Sequence, residues 1–346
     1  MQLSNELSTI LSNLREPAFI ATDGIIAAVN AAAAQHFAEV GMSIAQLIQT
    51  GKEEYDAFQD GNLYLTICLS GTTYQCSVTA LQDGQLFILE RDTAQAELQV
   101  LALAAQQLTM PLSEISLLVD KIAQTESKEL SMIRQDLFRI RRILNNMADS
   151  ADLTIFKPRM SSCEICSVFE EILEKANTVL SPYNITLAYS LPDRPIYTAA
   201  SSELLRRAVY NLISNAVKFS KPGSTIEAVL NHNDKRIAFS ITSCCDDISR
   251  FAQGNLFNRY TRQPGLEDPR HGLGLGLKLT HSVASAHGGT VLVEKLQDEK
   301  VRITMSLSTR QDNSGNFCSP ILIPDIYSGY DQALIELSDI LDHRSY

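Results

Sequence analysis

The most informative stretch of the chain is Asn211-Leu-Ile-Ser-Asn215-Ala-Val-Lys218-Phe219, at the end of a helix predicted to begin at Ser202. Asn211 and Asn215 are one turn apart on one face of this helix, and Lys218 lies close to that face. An asparagine carbonyl oxygen is a hard ligand suited to Mg²⁺, and a nearby lysine suits phosphate. The helix therefore predicts a phosphate and metal site; the alternative is that both asparagines are solvent-facing polar residues.

A glycine-rich segment, Gly272-Leu-Gly274-Leu-Gly276-Leu, opens a second predicted helix that runs from Gly274 to Ala286. Free backbone N–H groups and the helix dipole favour an anion at such a start. A lone glycine motif is weak evidence. Here it follows the asparagine helix and precedes His287-Gly-Gly, and the combination favours a phosphate-binding site.

The region around these motifs alternates between helices and strands, which predicts an α/β domain from about 161 to 308. The predicted elements are helix 167–180, strand 185–190, helix 202–219, strands 225–230 and 236–243, helix 274–286, and strands 289–295 and 300–308. A tail follows from Arg310, with a short amphipathic helix predicted from Asp331 to Leu341.

Residues 92–153 carry apolar side chains at alternating spacings of three and four, which predicts two helices joined by a short turn as an antiparallel hairpin. The positions are Leu98, Leu101, Ala105, Leu108, Leu112, Ile115, Val119 and Ile122, then Leu130, Ile133, Leu137, Ile140, Leu144, Met147 and Ala151. A hairpin alone leaves part of this surface wet, so pairing with a second copy as a four-helix bundle is expected. Packing against the chain's own neighbouring domains is the alternative.

Residues 16–91 read as a small α/β unit with two short strands, a helix over 31–37 capped by Asn30, and a later antiparallel sheet. The start of the unit has the pattern Asp-Gly, an apolar residue and Asn-x-Ala, formed by Asp23, Gly24, Ile26, Asn30 and Ala32. With this opening pattern the unit resembles a PAS sensor domain. The sequence does not identify a ligand for it.

The asparagine helix and glycine segment together resemble the ATP-binding domain of sensor histidine kinases, in the GHKL (gyrase, Hsp90, histidine kinase, MutL) superfamily. The resemblance implies an α/β multidomain chain, with a PAS-like domain over 1–91, a dimerisation hairpin over 92–155, a Bergerat-type α/β sandwich over 156–310 and a tail over 311–346. It also implies a Mg-ATP site. The implied contacts are Asn215 to the metal, Asn211, Lys218 and Phe219 to the nucleotide, and Gly272, Gly274 and Gly276 beside a mobile lid.

The first departure from the family is at the adenine-binding aspartate. Counting back from Phe257 puts Ser243 at that aspartate, with Cys245 and Asp247 at two glycines. A serine hydroxyl accepts a hydrogen bond without the charge, and charge-assisted bonds are worth ~1.5–3 kcal/mol, so ATP binding is expected to weaken roughly tenfold to a hundredfold or to be absent. A slip in register that puts Asp246 or Asp247 in the adenine role is the alternative.

The second departure is in the hairpin, where Gln106-Gln107-Leu-Thr-Met110-Pro111-Leu replaces the family's His-Glu-Leu-Arg-Thr-Pro-Leu. Gln106 therefore occupies the phosphoacceptor position, and no catalytic residue is assigned. An amide has no nucleophilic nitrogen at neutral pH, so phosphoryl transfer to this position is closed. Whether the chain is an enzyme is left open by the sequence.

Composition narrows the functions and locations that the chain can have. Against 40 Asp and Glu there are only 29 Lys and Arg, a net charge of −11 that disfavours a nucleic-acid surface. No apolar run approaches the ~20 residues of a membrane span, and no secretory signal is visible, so a cytoplasmic protein is expected.

Cys163-Glu-Ile-Cys166 is expected to be a buried, idle pair, with redox or zinc chemistry as the alternative.

The resulting interpretation is a histidine-kinase-like signalling protein of two-component type that acts as a pseudokinase or dimeric scaffold with weak or no ATP binding. The expected partners are a second copy through residues 98–151 and a response regulator or genuine kinase. One alternative is an active ATP-dependent kinase that phosphorylates a residue of a partner. Another is a GHKL-fold ATPase or interaction module outside phosphorelay.

Overall fold

The computed structural model describes residues 11–346 except 12, 15, 37, 91–94, 123–126, 156–157, 159, 221–222, 234, 245–275, 298 and 310–330. The side chains of 90, 95–103, 106, 121–122 and 149–155 are likewise outside the description.

The described residues form a mixed α/β structure around a large sheet. Its strands are β1 (Ala18–Thr22), β2 (Ile25–Val29), β3 (Ile48–Thr50), β4 (Asn62–Leu69), β5 (Thr72–Leu81), β6 (Gly84–Glu90), β8 (Thr186–Ser190), β10 (Thr225–His232), β11 (Arg236–Cys244), β12 (Val291–Lys295) and β13 (Lys300–Ser308). Their order is β2-β1-β6-β5-β4-β12-β13-β11-β10-β8, with β3 beside β4. Two short strands, β7 (Ser161–Glu164) and β9 (Tyr197–Ala200), pair separately.

The helices pack on this sheet and on one another. They are α1 (Ala31–Ala34), α2 (Ile44–Leu47), α3 (Lys52–Ala57), α4 (Gln95–Ile122), α5 (Lys128–Ile155), α6 (Ile165–Leu180), α7 (Ser202–Phe219), α8 (Gly276–Ala286) and α9 (Gln332–Glu336). The bounds predicted for α7 are confirmed, whereas α1 and α9 are shorter than the predicted 31–37 and 331–341. Among the described residues, no helix combines the length and apolar character that a membrane crossing requires.

Asn30 organises the start of the N-terminal unit. Its side-chain Oδ1 accepts hydrogen bonds from the backbone N–H of Ala33 at 2.8 Å, which caps α1, and from that of Ala18 at 3.0 Å, at the start of β1. Behind β1, the rings of Phe19 and Phe87 stack with centroids 4.7 Å apart. One polar side chain thus joins the helix to the sheet that covers the core.

The two halves of the sheet meet at β4 and β12. These strands are antiparallel, with Tyr64 opposite Val291 and Asn62 opposite Val293. Gly61 just before β4 has a φ of +93°, and a Cβ there would lie 2.4 Å from the carbonyl oxygen of Val293. Only glycine fits this junction, because both the backbone conformation and the space exclude a side chain.

Helices α4 and α5 pack against each other along half of their apolar positions. Ala105, Leu112 and Val119 of α4 are buried against Leu137 and Leu144 of α5. The apolar positions between them are exposed on the same pair of helices; they are Leu108, Ile115, Ile133 and Ile140. The pair therefore keeps an apolar face that it does not cover itself.

Candidate functional site

Helix α7 carries four of the predicted site residues. It begins at Ser202 because Ser201 caps it, with its Oγ accepting a hydrogen bond from the N–H of Leu204 at 3.5 Å. Most of the helix is buried in the core between α6 and the sheet. Asn211 and Asn215 follow one another by one turn, and Lys218 lies in the last turn, as predicted.

Asn211 is only 1% exposed, and both the nitrogen and the oxygen of its side-chain amide form hydrogen bonds. Its Nδ2 donates to the carbonyl oxygen of Arg207 at 2.9 Å, one turn earlier on α7. Its Oδ1 accepts from Nη2 of Arg142 at 3.1 Å, and Arg142 belongs to α5. The amide therefore links the helical pair to α7.

Gly276 lies against the same amide at the start of α8. A Cβ at this position would be 2.8 Å from Oδ1 of Asn211 and 3.3 Å from its Cγ. Because Asn211 is fixed by two hydrogen bonds, it has little freedom to retreat from a methyl group. The glycine is thus required by close packing of α8 on α7, a reason distinct from the anion contact predicted for the glycine segment.

Lys218 forms part of a buried network of two cations and two carboxylates. Its Nζ donates to Oδ2 of Asp339 at 2.7 Å, and Nη1 of Arg142 lies 2.7 Å from the same oxygen. Nε of Arg142 lies 3.8 Å from Oε2 of Glu336. The side chains of Arg142 and Asp339 are 4% and 7% exposed, so water screens these charges little.

The pKa of Asp339 reflects this environment. Burial by itself would raise the pKa of its carboxyl, but the opposite charges of Arg142 and Lys218 and the hydrogen bond from Lys218 outweigh burial and lower it below the ordinary value. Asp339 is therefore ionised at neutral pH. The cations around it bind an anion in the place where the sequence predicts a phosphate-binding lysine.

The segment that supplies Asp339 and Glu336 comprises residues 331–346, called here the C-terminal segment. Helix α5 donates to its backbone along one face: Oγ of Ser131 to Tyr346 at 2.9 Å, Nε2 of Gln135 to Leu341 at 2.5 Å, and Nε of Arg139 to Ser338 at 3.2 Å. The segment's Ala333, Leu337 and Leu341 are buried in the core that contains α6 and α7.

The remaining predicted residues lie apart from this network or outside the description. Asn215 is half-buried on α7 and Phe219 packs partly against the core. Ser243 is buried near the end of β11, opposite Val301 of β13. Gly272 and Gly274, the Phe257 segment and residues 245–247 lie outside the described residues. Gln106 lies within α4, and its side chain is outside the description.

Sequence reasoning missed Arg142, Glu336 and Asp339. The amphipathic pattern of the tail predicted a helix with a buried face, but it gave no destination for the two carboxylates. Nothing in the sequence distinguished Arg142 from the other polar residues of its long helix.

The Cys163 and Cys166 thiols are free and face backbone carbonyls. Sγ of Cys163 donates to Ala200 at 3.4 Å, and Sγ of Cys166 donates to Arg194 at 3.6 Å. Burial and the charge of Glu164 raise the pKa of Cys166 above its ordinary value, which disfavours the reactive thiolate. Within the described residues no three His, Cys, Asp or Glu side chains are grouped as a metal ion requires.

Comparison with known proteins identifies the class of domain that carries this site. Residues 200–311 match the family described as histidine kinase-, DNA gyrase B- and HSP90-like ATPase. The match includes α7, β11 and α8, and thus every predicted nucleotide-binding residue.

Two curated relatives extend the similarity to more of the chain. The sensor histidine kinase YcbM of Bacillus subtilis is 28% identical over 57% of this chain and 61% of its own length. The adaptive-response sensory kinase SasA of a Synechocystis species is 26% identical over 65% of this chain and 64% of its own length. The chain thus matches less than two thirds of each relative. Residues 200–311 thus form a GHKL-type ATPase domain, and the chain is similar to sensor histidine kinases over more of its length.

Solved structures show a weaker similarity. The structure described as full-length ShkA in complex with AMPPNP has a TM-score of 0.49 and 17% identity, over 62% of this chain and 46% of the other. This similarity is too low to support an inference about function.

The residues on and around α7 fit the group that an ATPase domain implies. Lys218 and Arg142 already hold a carboxylate, so cations at this position do bind an anion. Asn215 offers an amide oxygen, a ligand type that Mg²⁺ accepts. Ser243 lacks the negative charge that would strengthen a bond to an adenine amine.

Proposed function

We propose that the chain is a dimeric signalling scaffold of two-component type, related to histidine kinases, that does not phosphorylate itself. The observation that carries the proposal is Gln106, which occupies the family's acceptor position on α4. The ATPase domain and the similarity to sensor histidine kinases support the signalling class. The loss of autophosphorylation is our inference from the chemistry of the side chain.

The chemical step requires a nucleophile that accepts the terminal phosphoryl group of ATP. An imidazole nitrogen has a free lone pair, whereas the nitrogen of an amide shares its lone pair with the carbonyl group. Gln106 therefore lacks a group able to attack phosphorus at neutral pH. Gln107 replaces the family's acidic neighbour, so the position also lacks the carboxylate that would assist proton removal.

Nucleotide binding is proposed to be weak. When bound, Mg-ATP supplies a transferable phosphoryl group; Asn215 would contact the metal, and Lys218 and Asn211 would face the phosphates. Both Lys218 and Asn211 are already engaged, by Asp339 and Arg142 respectively. Ser243 offers the base an uncharged acceptor. These features support low affinity.

The remaining parts of the chain fit a signalling role. We propose a PAS-like sensor over 1–91, a dimerisation hairpin over 92–155, the ATPase domain over 156–310 and the tail over 311–346. The exposed face of α4 and α5, with Leu108, Ile115 and Ile140, suits a second copy because a four-helix bundle would bury it. A response regulator, or a kinase with an intact acceptor, is the proposed signalling partner.

Incubation of the purified chain with γ-labelled ATP tests the proposal. We expect no acid-labile label on the chain, and we expect none on Gln106→Ala, the matched variant. Acid-labile label on the wild-type chain would contradict the proposal. Nucleotide binding, measured by calorimetry for the wild type beside Asn215→Ala, determines separately whether the metal position is in use.

One observation favours a second candidate function, an ATP-dependent kinase that phosphorylates a residue of a partner. Asn215 is present at the position where the resemblance implies a metal ligand, and its side chain is half-buried on α7. Incubation with labelled ATP and a purified regulator distinguishes the two functions. Label on the regulator that disappears with Asn215→Ala would support the kinase function in place of the scaffold.

A further inference from the structure

We propose that the C-terminal segment, residues 331–346, is an intramolecular ligand of the nucleotide site, and that it and Mg-ATP exclude each other. The site takes anionic groups, which are carboxylates when the segment is bound and phosphates when nucleotide is bound. The proposal deepens the proposed function, because it rests on Lys218 and Asn211 belonging to the phosphate side of a nucleotide site.

The first argument is the charge of the network. Oδ2 of Asp339 lies 2.7 Å from both Nζ of Lys218 and Nη1 of Arg142, and Glu336 adds a second carboxylate beside Arg142. Arg139 adds further positive charge near Asp339. If the segment leaves, the cations lose these two carboxylates in a buried place, which is unfavourable. A polyphosphate would supply negative charge in their place.

The second argument is that the segment is bound along its whole length. Glu336 is 1% exposed, and the neighbouring Leu337 is buried in the core. At the end of the segment, the ring of Tyr346 packs edge-on against Phe138 of α5, with centroids 5.1 Å apart. These contacts hold Asp339 in place, so its position beside Lys218 is determined by the packing around it.

The third argument concerns geometry. The ammonium of Lys218 has three N–H donors and gives one of them to Asp339, so a phosphate on the same ammonium would lie close to that carboxylate. Asn211 is held by Arg142, which in turn is held by Asp339, so the amide is tied to the segment through one guanidinium. Asp339 repels a phosphate placed beside Lys218, because water screens charges little at this buried site, and a nucleotide that uses Lys218 and Asn211 therefore displaces the carboxylate. The segment also bridges α5 and α7, so its release removes one of the connections between the ATPase domain and the helical pair.

The size of the effect follows from linkage. The apparent dissociation constant of a ligand equals its intrinsic value divided by the fraction of molecules with an open site. If the segment covers the site in nine of ten to ninety-nine of a hundred molecules, opening it tightens apparent binding about tenfold to a hundredfold. Low ATP affinity of the wild type would then reflect occupancy of the site by the C-terminal segment as well as the missing charge at Ser243.

The experiment compares three full-length chains: wild type, Asp339→Asn and Asp342→Asn. Asp342→Asn is the control, because it removes one negative charge from the same segment at a side chain that pairs with Arg344 outside the network. The Asp342 side chain also accepts a hydrogen bond from the backbone N–H of Arg344, a capping role that asparagine can fill. Binding of a non-hydrolysable ATP analogue with Mg²⁺ is measured by calorimetry. We expect Asp339→Asn to bind at least tenfold more tightly than both other chains. Equal affinities would overturn the inference.

A second measurement needs no variant. Because coupling is reciprocal, saturating analogue should loosen the segment in the wild type and speed hydrogen exchange of the amides of 332–341 several-fold. Unchanged exchange would overturn the inference. Absence of nucleotide binding in all three chains would also overturn it, yet would leave the scaffold proposal standing. Conversely, acid-labile label on the chain would overturn the scaffold proposal but not the affinity ratio.

Discussion

Removing the guanidinium of Arg142 should be among the most damaging single changes on α5. Arg142→Met keeps the length of the side chain but removes the guanidinium that both Asp339 and Glu336 approach, and the two carboxylates stay buried. Breaking a buried charge pair by removing one partner costs about 3–5 kcal/mol. We expect the free energy of unfolding to fall by that amount.

Arg134→Met is the matched control because it is the same change on the same helix. Arg134 pairs with Asp120 at 3.1 Å, but these side chains are 28% and 35% exposed. An ion pair screened by water contributes ~0–1 kcal/mol, so the control should lose little.

Urea unfolding followed by far-ultraviolet circular dichroism measures both variants. The double variant Arg142→Met/Asp339→Asn should lose less than the sum of its single changes, because the two residues share one interaction. Equal losses from Arg142→Met and Arg134→Met, or strict additivity in the double variant, would refute the argument that the network stabilises the fold.

Three further predictions test other parts of the structure. The pKa of Asp339 is below its ordinary value of 3.8, so its stabilisation is fully present above that value and is lost as pH falls through the lower, folded pKa; the acid limb of a stability–pH curve should be shallower in Asp339→Asn, and identical curves would contradict this. Gly61→Ala should destabilise the chain more than Gly71→Ala in thermal melts: both glycines have positive φ, but only a Cβ at Gly61 meets the carbonyl oxygen of Val293. Ile140→Asp should halve the sedimenting mass with little loss of helix, because Ile140 is 45% exposed on the proposed dimer face; an unchanged mass would remove that interface.

Local sequence patterns predicted much of the secondary structure. The bounds of α7 are those predicted, because a serine cap, a helical apolar period and a change of composition after Phe219 agree. The strands from β10 to β13 differ from their predictions by a few residues at most. By contrast, β7 and β9 are four residues each and too short to show a period, and they were not predicted.

The long-range contacts could not be predicted. Pairing of β4 with β12 joins residues that are more than two hundred positions apart, and the sequence of neither strand indicates which strand it pairs with. Asp339 and Lys218 are 121 positions apart, and a carboxylate in a tail gives no sign of which cation it meets. The sequence did predict that Asn211, Asn215 and Lys218 share one helix, because a helical apolar period runs through all three positions. It did not predict that Arg142 would hold Asn211.

The shared sheet has a consequence for any attempt to study the ATPase domain alone. Strand β12, which reads Val-Leu-Val-Glu-Lys, has β13 on one side and β4 on the other. A fragment without residues 1–91 would leave one side of this largely apolar strand with unsatisfied N–H and C=O groups, a template on which another chain can add a strand. In the intact chain, β4 of the N-terminal unit pairs with that side of β12. The N-terminal unit therefore disfavours aggregation through β12, whatever its role in signalling.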